Sequence, residues 1–242
     1  MNFISRISSY FYPVTVEKRT GAYLPVLEIN LRKGKYLLDG EKVNYSFGSL
    51  HTLFRHAFAE HTIDLRSTGN VLILGFGAGS VAQILQNELN LNCKITGVDV
   101  DPVVLELGKR YFDTDNYQNT RLICDDAFHF VAEDTEMYDL IVIDLFIERR
   151  VPKTFLNTRF MELVKQRLNP GGSIFFNRIN DNPFQLEETN ELFTAMNLVL
   201  EGETVIFNNQ QNGINNSILV YHSPAALTES ETVHSNELEY AD

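Results

Sequence analysis

The sequence is short of positive charge. Twenty Lys and Arg stand against 32 Asp and Glu, which gives a net charge of -12. A broad basic surface for nucleic acid is therefore not expected. Cysteine is scarce: Cys93 and Cys124 are the two in the chain, and each falls in an apolar stretch. They read as buried, reduced thiols, which fits a cytoplasmic protein. No apolar run approaches the roughly 20 residues needed to cross a bilayer, so no membrane span is expected. The opening "MNFISRISSYFYPVTVEKR" lacks both a continuous apolar core and a small-residue cleavage site, and no signal peptide is read there. Internal repeats and low-complexity blocks are missing too.

What is there suits one large domain with a small appendage: 242 residues, 44% of them hydrophobic. The composition divides the chain into a small N-terminal β-hairpin unit (1-47), a main domain (48-222) and a tail (223-242). The tail carries Glu229, Glu231, Glu237, Glu239 and Asp242 with no Lys or Arg. It has no stable apolar period, and disorder is expected of it.

In the first part, "VLEINL" and "KYLLDG" flank Arg32-Lys33-Gly34, a hairpin signal. "GSLHTLFRHAFAE" places Leu50, Leu53, Phe54, Ala57 and Phe58 at helical spacing, with Ser49 as the predicted N-cap. From Asn70 onward, apolar strands alternate with helices. The strands are "VLILG", "KITGVDV", "TRLIC", "YDLIVID" and "SIFFNRI". "DPVVLELGKRYF" starts with Asp101 as N-cap and Pro102 at the first helical position. "TFLNTRFMELVKQRL" reads as one helix, stopped at Asn169-Pro170-Gly171-Gly172. Uniformly apolar strands separated by helices mean a parallel sheet covered on both faces. The last two strands, "TVIFNN" and "NSILVYH", have only a short turn between them, so they must be antiparallel. The predicted fold is α/β: a doubly wound, mostly parallel seven-stranded sheet with a C-terminal antiparallel hairpin and a small N-terminal β-unit. This resembles the class I methyltransferase type.

In such sheets ligands sit at the carboxyl ends of the strands. "LGFGAGS" puts Gly75, Gly77 and Gly79 there, between strand and helix, where the backbone can approach a ligand closely. No Gly-Lys-Ser/Thr follows, which excludes a Walker P-loop. Asp99 ends the next strand and can accept hydrogen bonds from both ribose hydroxyls. Asp126 and the backbone at Ala127 stand where an adenine ring would be met, with Asp125 assigned to capping. Asp144 ends "YDLIVID" and is read as the catalytic or acceptor-orienting acid. The cluster Arg149, Arg150 and Lys153 after it suggests a clamp for an anionic small-molecule acceptor. His51 and His129 are candidate bases. Together these describe an adenosine site for S-adenosylmethionine or S-adenosylhomocysteine, with no metal.

From about Tyr23 to Ile179 the sequence is similar to the spermidine synthase (polyamine aminopropyltransferase) family, within the S-adenosylmethionine-binding superfamily. "VLILGFGAGS" stands at the family's glycine loop, "GVDVDPVVLELGKRYF" at the ribose-acid segment, and "CDDAFHFV" at the adenine segment. The resemblance implies cofactor contacts from Gly75, Gly77, Gly79, Asp99, Asp126, Ala127 and His51, and leaves a homodimer open. Where it fails, the chemistry is concerned. The family's loop aspartate aligns with Ala78 and its catalytic aspartate with Ile147, while the acid before it survives as Asp144. Its Tyr-Gln pair aligns with Leu50-His51, and a cofactor-contacting glutamine with Leu24. Without an acid at 78, S-adenosylmethionine is expected to bind in preference to the decarboxylated donor. Losing paired acids from an amine site costs roughly 2–5 kcal/mol each. The expectation is methyl transfer to an unidentified small molecule, with aminopropyl transfer through Asp144, Glu148 or Asp181, or nucleoside binding without turnover, as alternatives.

Overall fold

The computed structural model describes residues 3–41, 44–61, 68–211 and 214–225. Most of the predicted tail, from 226 on, lies outside the described residues.

A short helix, α1 (Phe3–Ser8), leads into strands β1 (Val14–Arg19), β2 (Leu27–Arg32), β3 (Lys35–Asp39) and β4 (Asn44–Ser46). They form an antiparallel sheet in sequential order. The β2–β3 hairpin closes through Lys33 and Gly34, both at positive φ (50° and 76°). That is the two-residue turn whose twist suits neighbouring strands. The N-terminal unit is thus more than a hairpin: it is a four-stranded sheet preceded by α1.

Helix α2 (Gly48–Glu60) buries Leu53, Phe54, Ala57 and Phe58, the face its spacing predicts. Its start differs from expectation. Phe47 takes the cap position with no side-chain cap bond, and Ser49 lies inside the first turn.

The second sheet holds seven strands: β5 (Asn70–Leu74), β6 (Lys94–Asp99), β7 (Thr120–Cys124), β8 (Tyr138–Ile143), β9 (Leu168–Ile179), β10 (Thr204–Gln211) and β11 (Ile214–His222). Their order is β10-β11-β9-β8-β5-β6-β7. The five from β5 to β9 are parallel, and β11 lies antiparallel between β9 and β10, as the short final turn requires. The order reverses beside β5, with β6 on one side and β8 on the other. Ligands of doubly wound sheets bind at that switch point.

The crossovers are α3 (Ser80–Gln83, continued by a π-turn to Glu88), α4 (Pro102–Phe112), α5 (Ala127–Glu133), α6 (Thr158–Lys165) and α7 (Pro183–Val199). Asp101 caps α4 with an oxygen 2.9 Å from the Val103 N–H, as predicted. The single helix predicted over 154–168 is broken. Lys153–Phe155 forms a 3-10 turn, Asn157 then caps α6, and the helix ends at Lys165 before the proline is reached. The asparagine accepts from the Phe160 N–H at 2.9 Å, which competes successfully with helix continuation.

Apolar side chains fill both faces of the large sheet, one cluster around Leu72, Ile141 and Phe176 and another around Val71, Ile95 and Phe175. Cys93 is buried as expected, but Cys124 is exposed, because it is the last residue of an edge strand. No described helix is long and apolar enough to cross a membrane.

Candidate functional site

Three strand ends meet at the switch point. β5 runs into the turn Gly75–Gly79, β6 ends in Asp99, and β8 is followed by Asp144. Gly75 has φ +85°, and a Cβ there would stand 2.1 Å from the Asp144 carbonyl oxygen. Only glycine lets the turn lie this close to the loop after β8. The Gly75 and Phe76 N–H groups donate to the Val98 carbonyl, and the Asp144 N–H donates to the Leu74 carbonyl. The strand ends are therefore pinned to one another through backbone.

Asp99 is held by backbone N–H groups. Gly77 donates at 2.8 Å and Asp101 at 3.0 Å. Burial lifts its carboxyl to about 6, against the pull of these donors. A carboxylate has roughly four lone-pair positions, so two remain for ligand hydroxyls. Asp144 is held differently. Among the described residues its side chain is bonded by the amide of Asn177, which donates at 2.9 Å. Burial lifts Asp144 to about 7, partly offset by Asn177 and reinforced by the charge of Asp99.

Both acids line a cavity of about 100 Å³, together with Gly75, Gly77, Asn177 and Glu148. Asp101 also borders it, but its carboxylate is tied to the Val103 and Tyr23 N–H groups, and among the described residues no Lys, Arg or His lines the space. A second cavity of about 230 Å³ adjoins it and shares Asp99, Val100 and the triplet Leu145-Phe146-Ile147. Asp126 and Ala127 line this second space. Together the two reach the lower end of the range of small-molecule sites.

The N-terminal sheet closes the first cavity with Tyr23, Leu24 and Tyr45. The Glu148 N–H donates to the Tyr45 hydroxyl at 2.7 Å. Burial and the neighbouring Glu148 push that hydroxyl well above its ordinary value. Glu148 sits at φ 54°, and both its carboxylate oxygens are buried with no hydrogen-bond partner among the described residues. Such an arrangement is expensive unless a cationic group arrives.

Several sequence expectations move. The cap of α5 is Asp126, which accepts from the Phe128 and His129 N–H groups, and not Asp125. Asp125 instead accepts the Asp126 N–H and meets His129 at 2.8 Å. Gly79 is buried behind the turn and lines neither cavity. Ala78 is fully buried in the cluster of Leu24, Val104 and Leu107, so its side chain leaves no space open to a donor carboxylate. His51 faces away. Its Nε2 lies 2.6 Å from Glu88, its ring stacks on Phe47, and it lines a separate groove beside the small sheet. The basic cluster is also turned aside. Arg149 pairs with Asp181, Lys153 lies over Phe184, and neither they nor Arg150 line either cavity.

Sequence reasoning missed Asn177 and Tyr45. A signal for the first was present: "FFNRI" interrupts a buried strand with an amide. Tyr45 had none, because its position depends on how the small sheet docks.

Comparison with known proteins agrees with this architecture. Residues 53–207 match the family described as Spermine/spermidine synthase domain. An eEF1A lysine and N-terminal methyltransferase homolog of Drosophila melanogaster is 27% identical over 133 residues, 51% of this chain and 20% of that protein. A polyamine aminopropyltransferase of Sulfolobus acidocaldarius is 26% identical over 168 residues, 66% of this chain and 55% of that protein. Human methyltransferase-like protein 13, solved in complex with SAH, superposes with a TM-score of 0.57 at 19% identity, over 79% of this chain and 90% of that one. The chain spans about half the length, or less, of these curated relatives. Its main domain has the class I methyltransferase-type fold.

Proposed function

The chain belongs to the spermine/spermidine synthase domain family, a family of transferases, and from that premise we propose that it transfers a methyl group from S-adenosylmethionine to an amine-bearing small molecule. The observation that carries this reading is the pair of half-buried acids, Asp99 and Asp144, on either side of the Gly75 turn at the switch point.

The residues present fit the nucleoside. Asp99 keeps lone pairs free for ribose hydroxyls, Asp126 and Ala127 line the adjoining cavity where adenine would lie, and Leu145 to Ile147 form an apolar wall between the two spaces. When bound, S-adenosylmethionine supplies a methyl group activated by its sulfonium. Transfer of such a group asks the protein mainly for in-line positioning. A protonated amine cannot attack, and Asp144, raised to about 7, is suited to take its proton near neutral pH. Asp99, Asp144 and Glu148, with no Lys, Arg or His beside them among the described residues, favour an acceptor that arrives positively charged, which argues against the anionic acceptor that Arg149, Arg150 and Lys153 suggested.

Two features support methyl over aminopropyl transfer. Ile147 occupies the position where the family resemblance puts the catalytic acid, and Ala78 that of the loop acid. Aminopropyl transfer remains a second reading because of Glu148, one residue further on, whose unpartnered carboxylate could hold an amine. Parallel incubations with S-adenosylmethionine and with its decarboxylated form, each with a panel of primary amines that includes putrescine, test the choice. Release of S-adenosylhomocysteine with a methylated amine is expected. Spermidine formed from the decarboxylated donor and putrescine, with no S-adenosylhomocysteine released, would replace the first reading with the second.

A further inference from the structure

A row of polar side chains runs from the end of β8 across β9 to β11. Ile143 of β8 pairs with Phe176 of β9, so the next residues, Asp144 and Asn177, stand side by side. Asn177 pairs with Ile218 of β11, which makes Asn216 its diagonal neighbour on the same face. The bonds follow this row. The Asn216 amide nitrogen donates to the Asn177 carbonyl oxygen at 3.1 Å, and the Asn177 amide nitrogen donates to Asp144 Oδ1 at 2.9 Å. All three residues line the first cavity. Asn177 is 1% exposed, between the buried Phe176 and Arg178.

An asparagine amide can turn over, exchanging its oxygen and nitrogen. In one orientation Asn177 gives Asp144 a donor. In the other it would set a carbonyl oxygen against a carboxylate. Asn216 removes that choice by donating to the Asn177 oxygen, and its nitrogen also reaches the Arg178 carbonyl at 3.3 Å. The outer amide thus fixes the inner one, and the inner one fixes which oxygen of Asp144 is tied and which is left for the cavity.

We propose that Asn177 and Asn216 act in series as positioning residues for Asp144, Asn177 by donating to it and Asn216 by locking the Asn177 amide in its donating orientation. The functional consequence rests on the reading of Asp144 as the proton acceptor, but the relay itself does not. The donor stabilises the charged carboxylate, so it holds Asp144 below the value burial alone would set. The titratable residues that line the cavity with Asp144 are Asp99, Asp101, Glu148, Tyr23 and Tyr45, and none of these can replace the lost donor with a positive charge.

The test is a carboxyl-carbon NMR titration of Asp144 in the full chain, assigned with Asp144→Asn. Asn177→Leu is expected to raise the midpoint by about one pH unit, and Asn216→Leu to raise it by a smaller amount. In the Asn177→Leu background, Asn216→Leu should add nothing, because a relay has lost its end. An Asp144 midpoint unmoved by Asn216→Leu overturns the locking role, and this variant at a partly exposed position can be read even where Asn177→Leu does not fold. An undiminished Asn216 effect without Asn177 overturns the series order. Calorimetry with S-adenosylhomocysteine on the same samples separates the two ideas. A chain that binds none at any pH sinks the proposed function and leaves the titration result standing.

Discussion

Asp99 and Asp144 end strands on opposite sides of β5, and each is half-buried against the same cavity, yet they are held by different means. Asp99 rests on two backbone N–H groups, at Gly77 and Asp101. Asp144 rests on one side-chain amide. Backbone donors persist whatever side chain a residue carries, whereas a side-chain donor is lost with one substitution. The first arrangement suits a contact that every ligand state needs, and the second a group whose protonation has to change. Their carboxyls follow suit, at about 6 and about 7.

This contrast can be broken at its hinge. Gly75 touches both sides, and Gly75→Ala sets a Cβ 2.1 Å from the Asp144 carbonyl oxygen at a φ of +85°. A loss of about 3 kcal/mol or more in urea unfolding is expected. A variant as stable as the parent would mean that the strand ends are not pinned as described. Asp99→Ala comes next. On the proposed reading it removes charge-assisted bonds to a ribose, and S-adenosylhomocysteine affinity by calorimetry should fall roughly 100-fold, or about 2–3 kcal/mol. Unchanged affinity would strip Asp99 of its assigned role.

Asp144→Asn sharpens the other side of the contrast. A carboxyl raised on folding holds its proton more tightly in the folded chain. Its contribution to stability is full below about pH 4 and is lost as pH rises toward about 7. The asparagine variant should therefore unfold at higher urea than the parent above pH 7, by about 2 kcal/mol once its partial exposure is allowed for. It should also have lost turnover. A stability difference that does not depend on pH would contradict the buried acid. The smallest effect is expected from His51→Ala. That ring faces Glu88 and a different groove, so S-adenosylhomocysteine affinity should change less than about twofold.

Which of these residues could be read in advance depended on how local their role is. The strand–helix alternation, the antiparallel end and the acids after β6 and β8 are properties of short stretches, and each was legible. The cap of α4 was legible for the same reason, since Asp101 and Pro102 are adjacent. The start of α2 was not, because Phe47 is set by stacking on Phe112 and by the Ser80 hydroxyl that accepts its N–H. Nor was the turning away of Arg149, which required knowing that Asp181 lies beside it. The resemblance puts His51 at the site as the second residue of the pair Leu50-His51, of which Leu50 alone lines the cavity. One step along a helix turns a side chain about 100°, and that step was enough to carry it into another groove.

The bond from the Glu148 N–H to the Tyr45 hydroxyl has a use beyond the chemistry. It joins the small sheet to the loop after β8, two walls of the same cavity, so the two cannot part without breaking it. The exchange rate of a single backbone hydrogen should then count separations of those walls, slow when a ligand holds them together and fast when the cavity breathes.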